Sequence, residues 1–345
     1  MNNAVITKAR AMYGKRLKQD DYLALISFKD ISEAAGYLKQ HPAYSKALSD
    51  INQQLIHRGH LEALIRREYY DEYARLCFNL FGGDKKFLNL FVLSYEMELL
   101  LLAVRNADTR RDDTEFGDFK SRYIDQHSEL DFVKLLSIKG HSALLDELRD
   151  TKYYDILQPA MDKDQHIDYI LAERLLSGNY YSKLRQNMKK NLDKPSAAII
   201  QNLFGTVKDL NNLIRIYRLK NYYGADSTEI KLNLLRPYYK LKEDMVDKLI
   251  AGDCSLISIS KALGGTVYKG LIFGDKDRYI EDYADIRILE MAKRTLHFSS
   301  CAPAVVYSYM LFKRIEIKNI KIIIESLRYQ VDKDLALRRL ITEKR

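Results

Sequence analysis

The sequence predicts an all-α fold built from three related helical units. Apolar residues recur at three- and four-residue steps over long stretches, and alternating β-branched runs are hard to find. Proline is rare, 5 residues in 345, and glycine is modest at 15, so few breakers interrupt the helical pattern. Two different kinds of segment also recur at a common interval of about 110 residues, and a fixed period means a repeated structural unit.

The clearest helix is the last long one, residues 303–331, with Pro303 in its first turn. Val305, Tyr309, Phe312, Ile320, Ile323, Leu327 and Val331 fall on one face, and Glu316 and Asn319 interrupt that stripe. A buried carboxylate without a partner is costly, so Glu316 is expected to be at least partly buried. It should pair with an Arg or Lys, or with helix N-terminal amides. SYEMELLLLAVRNADTR (94–110) and KDLNNLIRIYRLKNYYG (208–224) share the plan of an early acid, an apolar middle and an arginine near the end. Setting Glu96, Asp209 and Glu316 in register defines the period. The second set aligns 25–44 with 135–154 at Ser27/Ser137, Lys29/Lys139, Ser32/Ser142, Leu38/Leu148 and Tyr44/Tyr154. A looser third copy, 249–268, ends on Leu263 and Tyr268. The three units are drawn at 1–112, 113–225 and 226–345.

Taken in order, residues 1–20 read as a basic amphipathic helix with Val5, Ala9, Met12, Tyr13 and Leu17 on one side. Asp30 or Ser32 can cap the next helix. A longer helical stretch covers 52–80 and stops at Gly82-Gly83. The first acid-bearing helix follows, and then a charged loop, Asn106 to Asp113, that closes the first unit. Pro159 and Pro195 mark helix junctions in the second unit. Gly224-Ala225-Asp226-Ser227 supplies a stop and a new N-cap. In the third unit Gly264-Gly265 and 270–277 are the expected loops, and the tail 332–345 is a charged amphipathic helix. Tyrosine is plentiful at 25 residues, in scattered pairs better suited to packing at helix ends than to base stacking.

Composition excludes several function classes. The longest wholly apolar run, Leu99 to Val104, is far short of the 18–20 residues a spanning helix needs, and the N-terminus lacks a signal-peptide core, so a cytoplasmic protein is expected. Cys77, Cys254 and Cys301 are odd in number and far apart, as buried thiols rather than a disulfide frame. The net charge of +9 gathers at the two ends: five cations and no acid in the first 18 residues, ten cations and five acids in 313–345. His57 and His60 lack the further ligands of a zinc site. Asp275-Lys-Asp277 opens like a calcium loop but has Ile280 where glycine is required. Neither Phe81–Lys85 nor Leu263–Thr266 has phosphate-loop spacing, and no nucleophile elbow is present. No cofactor, metal or catalytic constellation is expected.

The chain resembles the C subunits of bacterial and archaeal V/A-type ATPases (ATP synthases), the family that includes the d subunit of the eukaryotic V-ATPase. The resemblance runs along essentially the whole length. It is carried by ITKARAMYGKRL (6–17), Tyr22 and the segment through Tyr44, DLNNLIRIYRLKNYYG (209–224) and, above all, YMLFKRIEIKNIKIIIESL (309–327). It implies a non-catalytic rotor component shaped as a funnel of three pseudo-symmetric units. Such a protein sits peripherally on the cytoplasmic face of the membrane, between the central-stalk subunits and the proteolipid ring, one copy within a hetero-oligomeric complex, with no small-molecule substrate. Arg105, Arg215, Arg218, Lys321 and Arg328, toward the ends of the repeat helices, are the candidate stalk contacts. The bland reading gives these five to their own helices as dipole and intrahelical partners. A basic helical-repeat protein binding nucleic acid, or a scaffold, is the alternative. Units near 110 residues are too long for a regular solenoid, and cations at the termini do not make a groove.

Overall fold

The computed structural model describes residues 2–107, 122–272 and 278–342. Among these, regular structure is helical apart from one isolated bridge, Met161 with Ile167. The unit boundary at 112–113 and the Asp275–Asp277 segment lie outside the described residues.

Three pairs of long helices, each pair close in sequence, form the body. The first pair is Arg58–Cys77 and Phe91–Ala107, the second Tyr169–Asn191 and Lys194–Tyr223, the third Ile280–Phe298 and Ala302–Tyr329. The following helix of each pair carries the repeat acid. Each also packs on the leading helix of the next pair: Phe91–Ala107 on Tyr169–Asn191, Lys194–Tyr223 on Ile280–Phe298, and Ala302–Tyr329 back on Arg58–Cys77. The order of contacts is therefore closed, with no free first or last pair. Aromatic rings fill the junction: Phe204 of the second pair stacks on Tyr307 of the third at 3.8 Å between centroids, and Phe87 meets Phe204 edge-on at 6.3 Å.

Short helices complete each repeat. After the second pair comes Ser227–Leu232, and after the third Lys333–Arg339. Two more short helices then precede the next pair: Phe132–Ser137 and His141–Glu147, Glu243–Ala251 and Leu256–Ala262. The third repeat finds its equivalents at the other end of the chain. Gln19–Ser27 and Ile31–Gln40 pack on Ala302–Tyr329, and Lys333–Arg339 packs on Gln19–Ser27. The N-terminal helix Asn3–Gly14 also lies along the third pair, with Val5, Ala9 and Tyr13 buried.

Several sequence expectations shift in detail. The stretch expected as one helix over 52–80 begins only at Arg58, because His57 is the N-cap, its ring nitrogen accepting from the His60 amide at 3.3 Å. Gly82-Gly83 opens a helix, Gly82–Leu88, rather than merely ending one. Gly83 is required there, since an added Cβ would stand 2.0 Å from the Asn191 carbonyl. Asp30, not Ser32, is the cap, accepting from the Glu33 amide at 3.0 Å. By length and composition 82–107 could cross a membrane, contrary to the reading that no run approaches that length. In the fold it is broken between Leu88 and Phe91, and Phe87, Leu88, Val92, Tyr95, Leu99 and Leu100 are buried core. The three cysteines are buried free thiols.

Candidate functional site

The repeat acids recur at equivalent places in the fold, and each closes a clasp of the same design. Glu316, 1% exposed, accepts from the Tyr44 hydroxyl at 2.6 Å and from the Leu17 amide at 2.8 Å. Asp209 is fully buried and accepts from the Tyr268 hydroxyl at 2.7 Å and the Leu241 amide at 3.0 Å. Its shorter side chain sits close enough to take the Tyr239 and Lys240 amides too, at 2.9 and 2.7 Å. Glu96 accepts from the Tyr153 hydroxyl and, at 2.6 Å, from the Ser128 hydroxyl, which in turn accepts from the Leu130 amide at 3.2 Å. Leu17, Leu130 and Leu241 each stand two residues before a short helix, so the three amides are equivalent. In the first repeat a serine hydroxyl relays what the other two make directly.

The Tyr of each clasp comes from the second repeat set, but not in the expected register. Tyr153, not Tyr154, meets Glu96. The cause is a one-residue difference in the turn. Thr151 and Thr266 bond the Leu148 and Leu263 carbonyls and accept from the Tyr153 and Tyr268 amides two residues on. In the first copy His41 takes that place and accepts from the Ala43 amide at 3.2 Å, so the tyrosine falls one position later, at Tyr44. A second clasp stands one helical turn along. Asn212 exchanges two bonds with the backbone of Leu235, at 3.0 and 2.9 Å, and Asn319 does the same with Ile341, at 2.7 and 2.9 Å. The first repeat has Leu99 in that register.

Glu316 alone has a fully buried cation beside it. Lys313, 2% exposed, lies 2.9 Å from Glu316, 3.6 Å from Glu72 and 4.1 Å from the centre of the Tyr44 ring. Burial works against its charge, but Glu316 and Glu72 outweigh it and leave the ammonium pKa raised. The cluster continues through Tyr309, which donates to Glu72 at 2.9 Å, to Arg75 and Glu68 at 2.5 Å. Lys152 plays a looser part at Glu96, at 3.2 Å and half exposed.

Burial and the adjacent carboxylates raise the pKa of Tyr44, Tyr153 and Tyr268. A tyrosine ionises near pH 10 in the unfolded chain, so a raised folded value stabilises the protein fully below pH ~10, and that contribution is lost as pH rises above it. Unfolding free energy measured by denaturant titration should therefore fall between pH 10 and 11.5. Tyr44→Phe and Tyr268→Phe should each flatten that slope by about one proton; an unchanged slope would mean that these hydroxyls already titrate normally.

A second set of charged and aromatic residues surrounds Arg314. Arg314 is exposed to solvent, yet burial is the largest influence on its guanidinium, and Asp285, Tyr307, Tyr69 and Glu98 outweigh it to keep the pKa raised. Tyr181, pushed up to about 12 by burial, feels Arg215 and Arg314 in opposition. Residues of all three helix pairs thus influence one another around Arg314.

The five basic candidates do not form a uniform set. Arg215 is engaged with Glu173 of the paired helix at 2.9 Å and with the Asn233 carbonyl, just beyond the pair, at 3.1 Å. Arg218 crosses to Glu281 at 2.6 Å, and Lys321 to Glu62 at 3.6 Å. Arg105 and Arg328 are exposed, Arg328 with its guanidinium 5.1 Å from the Tyr329 ring centre. In the register of the acids, Arg105 and Arg218 align with Glu325, which pairs with Arg58 at 2.5 Å. The third repeat carries a carboxylate where the other two carry arginine. Sequence reasoning missed Lys313, Glu72 and Arg314; their one signal was charge within or beside an apolar stripe.

Comparison with known proteins places the chain in a family. The family model of the ATP synthase (C/AC39) subunit matches residues 5–339. The chain belongs to that family. Among curated relatives, the C subunit of the A-type ATP synthase of Methanosphaera stadtmanae is 23% identical over 348 residues, spanning 93% of this chain and 82% of that protein. A C/AC39 subunit is one component of a multi-subunit, membrane-associated ATPase. Among the described residues of this C/AC39 subunit no three His, Cys, Asp or Glu side chains gather as a metal site.

Proposed function

We propose that this C/AC39 subunit is a non-catalytic rotor component that couples the central stalk to the proteolipid ring at the cytoplasmic face of the membrane. The closed circuit of the three helix pairs carries this reading. It encloses an interior suited to a rod, and three similar units present a round base to a ring. In this arrangement the body is a funnel of three pseudo-symmetric units, and 1–57 completes the third unit by lending its clasp residues to Glu316. The stalk foot enters against an inner wall that Arg314 and Glu98 line, and the exposed Arg105 and Arg328 guide it. Torque passes through the clasps, which tie each long helix to the following short helices.

The test is association with co-expressed stalk subunits. Arg105→Glu combined with Arg328→Glu, both at exposed positions, should leave the helical fold and melting temperature intact and weaken stalk binding at least tenfold. Wild-type binding should weaken as salt rises, because charges beyond about 8–10 Å are screened at physiological strength. Stalk binding unchanged by the double reversal at low salt would place the contact elsewhere. The purified chain alone should hydrolyse no ATP.

A further inference from the structure

Residues of both helices of the second pair and of the loop 236–239 line a pocket of about 170 Å³. Its floor is apolar, with Leu184, Met188 and Phe204. Its rim carries Arg185, Lys208 and Arg236, and no carboxylate lines it. The loop is held rigidly. Asp209 takes the Tyr239 and Lys240 amides, the Lys208 ammonium donates to the Pro237 carbonyl, and the Tyr239 ring lies over Gly205, where a Cβ would stand 2.4 Å from it.

We propose that this pocket binds a small, multiply charged oxyanion of the phosphate class. Arg185, Lys208 and Arg236 line it with no acid among the lining residues. Asp209 is saturated by four donors, and the Arg236 guanidinium already meets Glu243 at 2.8 Å, which leaves Arg185 and Lys208 as the charges that would meet an anion. Lys208 is half-buried; burial works against its charge most, Asp209 favours it and Arg185 disfavours it, with its pKa lowered on balance, so an anion beside Lys208 and Arg185 would favour the charge of both. The Tyr238 hydroxyl lines the same pocket, buried and with no well-directed hydrogen-bond partner among the described residues. A buried donor left unmet costs about 1–3 kcal/mol, and an oxyanion oxygen would satisfy it. Ser182 and Gln201 offer further donors at the rim. The volume is well above the ~30 Å³ of one water in the liquid, which leaves room for a tetrahedral anion.

Calorimetric titration and thermal melting with inorganic phosphate, against chloride at equal ionic strength and pH 7, test the site. Wild type should show saturable binding and a melting temperature that rises with phosphate. Lys208→Gln and Arg185→Gln should each weaken binding about tenfold or more, the loss of one charge-assisted hydrogen bond. Arg294→Gln, in a different groove, should leave it unchanged. No saturable response in wild type, or equal binding by wild type and both pocket variants, would overturn the proposal.

Discussion

Replacing Glu316 by Ala should cost this protein about 3 kcal/mol of stability, read as a fall in melting temperature of about 4 °C for a chain of this size. The substitution leaves Lys313 charged and almost wholly buried, with only Glu72 at 3.6 Å to answer it. It also removes the acceptor of the Tyr44 hydroxyl and the Leu17 amide, both buried. Removing one partner of a buried pair is costly because the other charge stays where it is, whereas removing both often costs little. The double variant Lys313→Met with Glu316→Leu should therefore recover a large part of the loss, and Lys313→Met alone should be worse than the double. Additive losses would show that the two side chains do not depend on each other. Local consequences should also differ from global ones. Loss of Glu316 frees the N-terminal segment first, so amide exchange should quicken around Leu17 and Tyr44 before it does in the second pair.

Asp209→Ala should be at least as damaging, by about 3 kcal/mol or more. Four donors lose their acceptor at once, and each buried donor left unpaired costs about 1–3 kcal/mol. Water can enter the vacated space and recover part of this, which keeps the estimate near the low end of the sum. Asp209→Asn separates charge from shape. Its amide nitrogen is a donor and must face one of the backbone N–H groups, so it should recover less than half of the loss. Unfolding followed by denaturant midpoint distinguishes these cases. An Asp209→Ala protein within 1 kcal/mol of wild type would mean that water replaces the carboxylate fully. If the loop 236–239 depends on this clasp, the same substitution should also abolish phosphate binding at the pocket beneath it.

Periodicity was legible because it is local. Apolar spacing of three and four residues specifies a helix wherever it occurs, and the helix 303–331 is found at Ala302–Tyr329 for that reason. The repeat interval was also legible, and with it the three acids, because equivalent side chains recur at equivalent helical positions. Membership of the C/AC39 family followed from the same stretches of residues. Partner choice was not legible. Glu316 is answered by Tyr44, 272 positions away, and no spacing rule predicts that the N-terminus closes the third repeat. Nor does sequence tell which of two adjacent tyrosines points inward, a choice that a one-residue difference in the turn before Tyr44 and Tyr153 decides. The five arginines and lysines looked alike as exposed charges on helix ends; the fold gave Arg215, Arg218 and Lys321 intramolecular partners and left Arg105 and Arg328 facing solvent. Charge and polarity are properties of a residue, whereas burial and pairing belong to the packed chain. Helices, period and family were therefore fixed by local order along the sequence, and the clasps and the cationic pocket only by segments that meet when the three pairs close on one another.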